Sequence, residues 1–211
     1  MDLYFAPLAC SMASRIALYE AGAAANFIEV DPKSKRTLDG VDYRTVNPLG
    51  LVPALRTEAG TVLLENAAIL QFIADRYPAA ALAPRDGLDR AQLQQWLSFI
   101  GTELHKALFV PLFDKALADS TKAKVLETGG QRLAYLERYL TGREFLLDAF
   151  SVGDAYLFTV LNWNIATPVK LSLWPAIENY FARLKERPAI ARALKEEFAL
   201  YAEEQKRHKA A

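Results

Sequence analysis

The chain has 211 residues, 52% of them hydrophobic and 24% charged, with 25 Lys plus Arg balanced by 25 Asp plus Glu. That composition buries a sizeable core and excludes general disorder, and the absence of a basic excess excludes non-specific binding to nucleic acid or an anionic membrane. The length suits one large domain or two small ones packed together, and the expected partner is a small molecule or another protein.

The chain opens Met1-Asp2 with no basic segment leading into an apolar core, so no secretory signal is expected. The longest uncharged run, 155–169, contains Asn, Thr and Pro and is too short for a transmembrane helix. A single cysteine forms no internal disulfide, which agrees with a reducing compartment and leads to a cytoplasmic location. Cys10, His105 and His208 show no zinc-ligand spacing, so no metal is expected.

Residues 2–6 read as a strand that breaks at Pro7. Met12–Ala21 then carries Ile16, Leu18 and Tyr19 as a helix stopped by Gly22. Cys10 lies between them, at a helix N-terminus whose unpaired N–H groups and dipole favour a thiolate. It is a candidate reactive centre; the alternative is a small buried apolar residue. Asn26–Asp31 alternates around Ile28 and Val30 as a second strand, in a right-handed unit if the two strands are parallel. Residues 31–36 form a basic, solvated connection. Val52–Thr57 and Thr61–Leu64, joined by a turn at 58–60, read as a hairpin, with Pro53 admissible at the strand start. Glu65-Asn66 precedes a helix carrying Ile69, Leu70, Phe72 and Ile73 and ending at Tyr77-Pro78, with Asn66 a good N-cap.

The Ala/Pro/Gly stretch 78–87 reads as a linker, and everything after it as helix. Leu93, Leu97, Ile100, Leu104 and Leu108 recur at helical spacing until Pro111 breaks the run. Against that stripe, His105 lies on the flank and Lys106 roughly opposite. Leu133, Leu136 and Leu140 mark a helix ending near Gly142. Ser151-Val152-Gly153-Asp154 is a capping-box-like start for the apolar helix 155–166, the expected buried axis of the second domain. Helices over 174–186 and 188–200 follow, and the charged tail from Ala202 is expected to fray. The division is thus 1–77, a linker at 78–88, and an all-helical domain at 89–211.

Five strings then stand in order: Ala9-Cys10-Ser11, residues 46–55 (VNPLGLVPAL), Leu64-Glu65-Asn66, Glu103-Leu104-His105-Lys106, and residues 151–158 (SVGDAYLF). Together they resemble the glutathione transferases, specifically the bacterial cysteine-type beta class, over nearly the whole chain. The resemblance implies an α/β plus all-α architecture: a thioredoxin-like N-terminal domain followed by a helical-bundle C-terminal domain. It also implies a homodimer that uses glutathione as co-substrate, with no other cofactor, and a small electrophile or disulfide as second substrate. By that resemblance Cys10 lies beside the glutathione sulfur and can form a mixed disulfide with it. Ser11 belongs to the same glutathione-binding set. Glu65 takes the α-ammonium, the N–H of Asn66 the γ-glutamyl carboxylate, and Lys35 the glycyl carboxylate. Val52 binds the cysteinyl backbone beside a cis Pro53. His105 supports the sulfur chemistry, and Glu103 reaches the neighbouring subunit's glutathione.

Three residues depart from the family pattern. Leu8 stands where Gly is usual and is expected to narrow the approach to Cys10 or restrict the loop; Asn66 replaces Ser or Gly, and Leu51 a larger or polar residue. Ala13 occupies the second cysteine's place in a C-x-x-C motif, so any thiol exchange is monothiol. Phe109, Phe113 and Trp163 are candidates for the electrophile side, with core packing as the alternative. The two functional readings are a glutathione transferase working through Cys10 and a non-catalytic binding or interaction protein on the same fold.

Overall fold

In the computed structural model, which describes residues 1–210, strands β1 (Asp2–Phe5), β2 (Asn26–Glu29), β3 (Ala54–Arg56) and β4 (Val62–Leu64) form one sheet in the order β2-β1-β3-β4. β1 and β2 are parallel, with Leu3 opposite Phe27. β3 runs antiparallel to β1, with Leu3 opposite Leu55, and β4 antiparallel to β3. Helix α1 (Met12–Glu20) makes the crossover between the parallel strands, and α2 (Asn66–Arg76) follows β4. Strand alternation divides the side chains between the two faces. Tyr4 joins Val30, Tyr43 and Ala54 in one buried cluster, against which Val46 and Val52 pack. Leu3, Met12, Ile16, Leu55, Ile69, Leu70 and Ile73 are fully buried.

The chain divides into two compact units: Met1–Ala83 together with the segment from Arg187 onward, and Pro84–Glu186. The division drawn from the sequence placed all of 89–211 in the second domain. The last helix, α8 (Pro188–Ala210), instead packs with the first unit, where Glu20 takes the Arg187 guanidinium on two nitrogens at 2.6 and 2.9 Å. Its charged end does not fray: the helix runs to Ala210 because Arg207 pairs with Glu29 and His208 with Asp31. A charged run reads as solvated until its partners, distant in sequence, are known.

The second unit contains α3 (Gly87–Phe99), a π-helical segment (Ile100–Phe109), α4 (Val110–Phe113), α5 (Asp119–Leu140), α6 (Val152–Leu161) and α7 (Pro175–Lys185). Pro111 does not break the run, which continues to Phe113. The Val110 N–H bonds back five residues to the His105 carbonyl, and Pro111 falls in the first turn of α4, where a missing N–H costs little. Every residue of α6 is buried, as its apolar composition led us to expect, but the helix expected over 155–166 stops at Leu161, and Ile165 in the 3-10 turn that follows is exposed. The capping box forms, and Asp154 does more than cap. It accepts from Ser151 N–H and hydroxyl, Leu146 N–H and Tyr180 hydroxyl at 2.8–2.9 Å, while burial raises its carboxyl above the ordinary range. Among the described residues no helix is long and apolar enough to cross a membrane.

Candidate active site

The Cys10 loop begins where β1 ends. Ser11 closes it, its hydroxyl both donating to the Ala6 carbonyl and accepting from the Ala6 N–H at 3.3 Å. That side chain is fully buried and committed to the loop, so Ser11 has only its backbone to offer a ligand. Leu8 adopts the left-handed conformation at φ +57, a strained choice for a residue with a Cβ. This is the backbone restriction expected of Leu8. Its N–H donates to Glu197 Oε2 at 2.7 Å, and Glu197 Oε1 lies 2.9 Å from Arg15 Nε. Arg15 is in turn held between the Phe5 and Phe27 rings, 4.2 and 4.1 Å from their centroids.

Sequence reasoning missed this Glu197–Arg15 pair. The signal was nevertheless present, because Glu197 falls on the buried stripe of α8 with Ile190, Ala193 and Leu194, where a carboxylate needs a specific partner.

The Cys10 thiol donates to the Val52 carbonyl at 3.2 Å. Val52 is presented by a loop in which the Leu51 carbonyl accepts from Tyr43 hydroxyl at 2.8 Å and Asn47 Nδ2 at 2.7 Å. The Val52-Pro53 bond is cis, and Pro53 is buried at the entry to β3. Two residues before Val52, Gly50 adopts φ +62, and a Cβ there would stand 3.2 Å from Lys35 Cδ. The Lys35 stem therefore lies along Gly50, while Lys35 itself has φ +58 and makes no ion pair among the described residues.

On the other side of Cys10, Asn66 Nδ2 donates to the Cys10 carbonyl at 2.9 Å and Asn66 Oδ1 accepts from Ser14 hydroxyl at 2.8 Å. The expected N-cap assignment for Asn66 is corrected here. Glu65 holds the N-cap position, at φ +65 and with no side-chain cap bond, and Asn66 is the first helical residue, its amide turned to the Cys10 loop. In the first turn of α2 the Ala68 N–H bonds back to the Glu65 carbonyl at 3.0 Å, and the N–H groups of Asn66 and Ala67 precede the first intrahelical bond.

Cys10 is thus bonded through its thiol to Val52 and through its carbonyl to Asn66, Glu65 precedes Asn66 in the chain, and the Lys35 stem lies beside Gly50, two residues before Val52.

His105 and Glu103 belong to the second unit, on its π-helical segment. His105 is buried, its Nδ1 2.8 Å from Tyr156 hydroxyl, its ring edge-on to Trp163 at 4.8 Å. Burial, with a smaller push from Lys106, lowers it to about 4, so the imidazole is neutral near pH 7. Trp163 also meets Phe109 and Phe113 edge-on, at 5.9 and 5.6 Å, so the three aromatic candidates form one cluster with His105. Glu103 is paired with Arg132 Nε at 2.5 Å.

Comparison with known proteins gives two family models: the glutathione S-transferase N-terminal domain matches residues 9–76, and the glutathione S-transferase C-terminal domain residues 102–188. The Glutathione S-transferase GstA of Escherichia coli O157:H7 is 39% identical over 199 residues, covering 93% of this chain and 98% of that protein. A sphingomonad glutathione S-transferase solved with glutathione is 45% identical, with a TM-score of 0.90 over 93% of this chain and 98% of its own. The beta class enzyme of Sphingomonas chungbukensis is 44% identical, with a TM-score of 0.89 over the same shares.

Proposed function

We propose, from the premise that this chain belongs to the glutathione S-transferase family, that its first unit binds glutathione across the Cys10 loop and presents the peptide's sulfur to Cys10. The observation that carries this reading is the pair of hydrogen bonds that hold Cys10 between Val52 and Asn66, the first residue of α2, with the Lys35 stem packed on Gly50 in the loop leading to Val52. Glutathione has the matching charges: a carboxylate at its glycyl end and an ammonium and carboxylate at the other. Lys35 pairs with the glycyl carboxylate, Glu65 with the ammonium, and the first-turn N–H groups of α2, beginning at Asn66, with the γ-glutamyl carboxylate. Val52 offers its backbone to the cysteinyl residue as a strand edge does.

Cys10 then has two uses. As a thiolate it attacks one sulfur of oxidised glutathione, forming the Cys10–glutathione disulfide and releasing the other glutathione as a thiolate that takes a proton from water. Alternatively it orients the bound glutathione thiol, whose thiolate attacks an electrophile. With Ala13 in the place of a second cysteine, release of the mixed disulfide needs an external thiol. His105, being neutral, acts as a hydrogen-bonding group and not as a cation. The Phe109, Phe113 and Trp163 cluster supplies apolar contact for the electrophile. A homodimer, in which Glu103 exchanges Arg132 for the neighbouring subunit's glutathione, and a cytoplasmic, detoxifying role complete the proposal.

Intact mass after incubation with oxidised glutathione tests it. One reductant-sensitive glutathione adduct is expected, absent in Cys10→Ala. No adduct, in a protein to which glutathione also fails to bind by calorimetry, would overturn the reading in favour of a non-catalytic module.

A further inference from the structure

The end of α8 meets the loop after β2 through three side chains remote in sequence from the Cys10 loop. A carboxylate oxygen of Asp31, one of Glu204 and a ring nitrogen of His208 lie within 4.8 Å of one another. Glu204 and His208 are four residues apart on α8 and share a face. Asp31 is already oriented: its Oδ1 accepts from Lys33 N–H, Ser34 N–H and Ser34 hydroxyl at 2.9, 2.7 and 3.1 Å, which leaves Oδ2 to meet His208 Nε2 at 2.5 Å.

Glu204 lacks such support. It is 3% exposed, and its Oε1 is buried with no hydrogen-bond partner. Native structures rarely leave such an atom unmet, because its desolvation is uncompensated. The surroundings do not supply the missing charge. Arg207 is taken by Glu29 and His208 meets Asp31, so the buried Glu204 oxygen is left without a donor or a cation.

We propose that Asp31, Glu204 and His208 form a binding site for a first-row divalent transition-metal ion of the zinc type. One imidazole nitrogen and two carboxylate oxygens suit such an ion, whereas calcium and magnesium prefer oxygen donors alone. Three protein ligands leave a fourth position for water. Donors about 2.0–2.1 Å from a tetrahedral ion stand about 3.3 Å apart. The Asp31–His208 contact therefore opens by less than about 1 Å, and coordination through Nε2 replaces the hydrogen bond between them, the neutral imidazole carrying its proton on Nδ1. Coordination joins the last turns of α8 to the loop that carries Lys35, and it is independent of glutathione.

The test uses the full chain, stripped with a chelator and titrated with Co2+ and Zn2+. The readouts are the visible absorption of bound Co2+, calorimetric stoichiometry and thermal unfolding. One ion per chain is expected, with affinity at least about tenfold weaker in Glu204→Gln and His208→Gln and unchanged in Cys10→Ser. Zn2+ should raise the Tm of the wild type and not of the two variants. Unfolding of the metal-free variants checks that they are folded, and Asp31→Asn replaces Glu204→Gln if the latter is not. Absence of saturable binding at Co2+ concentrations on the order of 100 µM, affinity in both variants equal to that of the wild type, or a thiolate–cobalt band abolished by Cys10→Ser would each overturn the proposal.

Discussion

Asn66 holds two segments with one amide, since its nitrogen serves the Cys10 carbonyl and its oxygen the Ser14 hydroxyl. Truncation to Ala removes both bonds in a buried setting, and Asn66→Ala is expected to cost about 2–3 kcal/mol in urea denaturation. Loss of a simple helix cap would cost about 1 kcal/mol. Gly50 is the second such position. At φ +62, and with Lys35 Cδ 3.2 Å from a would-be Cβ, Gly50→Ala should destabilise by about 1–2 kcal/mol and displace the Lys35 stem. Calorimetry should accordingly show weaker glutathione binding. At this scale the sequence disclosed residue types better than their partners. Lys35 and Glu65 read by themselves as a solvated loop and a helix cap and were nominated by the family resemblance alone, whereas Cys10 could be nominated because thiol chemistry and a helix start are both local. The duty of Asn66 could not, because Ser14 and the Cys10 carbonyl reach it from another segment. Ser11 was nominated by the family resemblance, yet its hydroxyl is spent on Ala6.

Between elements, α5 approaches the π-helical segment closely at Gly129. A Cβ on Gly129 would stand 2.3 Å from Leu108 Cδ1 and 3.1 Å from its Cγ. Gly129→Ala therefore forces Leu108 aside, and a loss of about 1–3 kcal/mol is expected from overpacking. In a double-mutant cycle with Leu108→Ala the two losses should be strongly non-additive, because the second substitution removes the obstructing atoms. The anchoring of α6 is of a different kind. Asp154→Ala abolishes four hydrogen bonds at once, and a loss on the order of 3 kcal/mol or more should appear in thermal unfolding. The Ser151–Asp154 box was readable because capping is local. By contrast, Pro111 read as a stop because proline usually ends a helix, and no local signal shows that the register changes just ahead of it.

Across the whole molecule, two buried groups set opposing pH dependences. Burial lifts Glu197 from its ordinary 4.5 to about 7, partly offset by Arg15 and the Leu8 N–H. Its protonated form is favoured by folding, so its contribution is fully present below about pH 4.5 and is lost as pH rises to about 7. Burial lowers His105 from 6.5 to about 4. Its neutral form is favoured by folding, so its contribution is present above about pH 6.5 and is lost as pH falls to about 4. The slopes oppose each other between roughly pH 4.5 and 6.5. Relative to wild type, the unfolding free energy of Glu197→Gln should rise with pH in that window and that of His105→Asn should fall, as followed by urea titrations at a series of pH values. The architecture of both units was legible from five ordered strings, whereas the return of α8 to the first unit was not. A Glu/Lys/Arg-rich helix end looks solvated, and its partners Glu29 and Asp31 precede it by more than 170 positions. That return also bears on how the protein is made. A ribosome completes residues 1–83 first, then all of the second unit, and only then Glu197. Throughout that interval the nascent Leu8 N–H and the Arg15 guanidinium wait for the Glu197 carboxylate, so the segment around Cys10, synthesised before the whole of the second unit, is finished only after it.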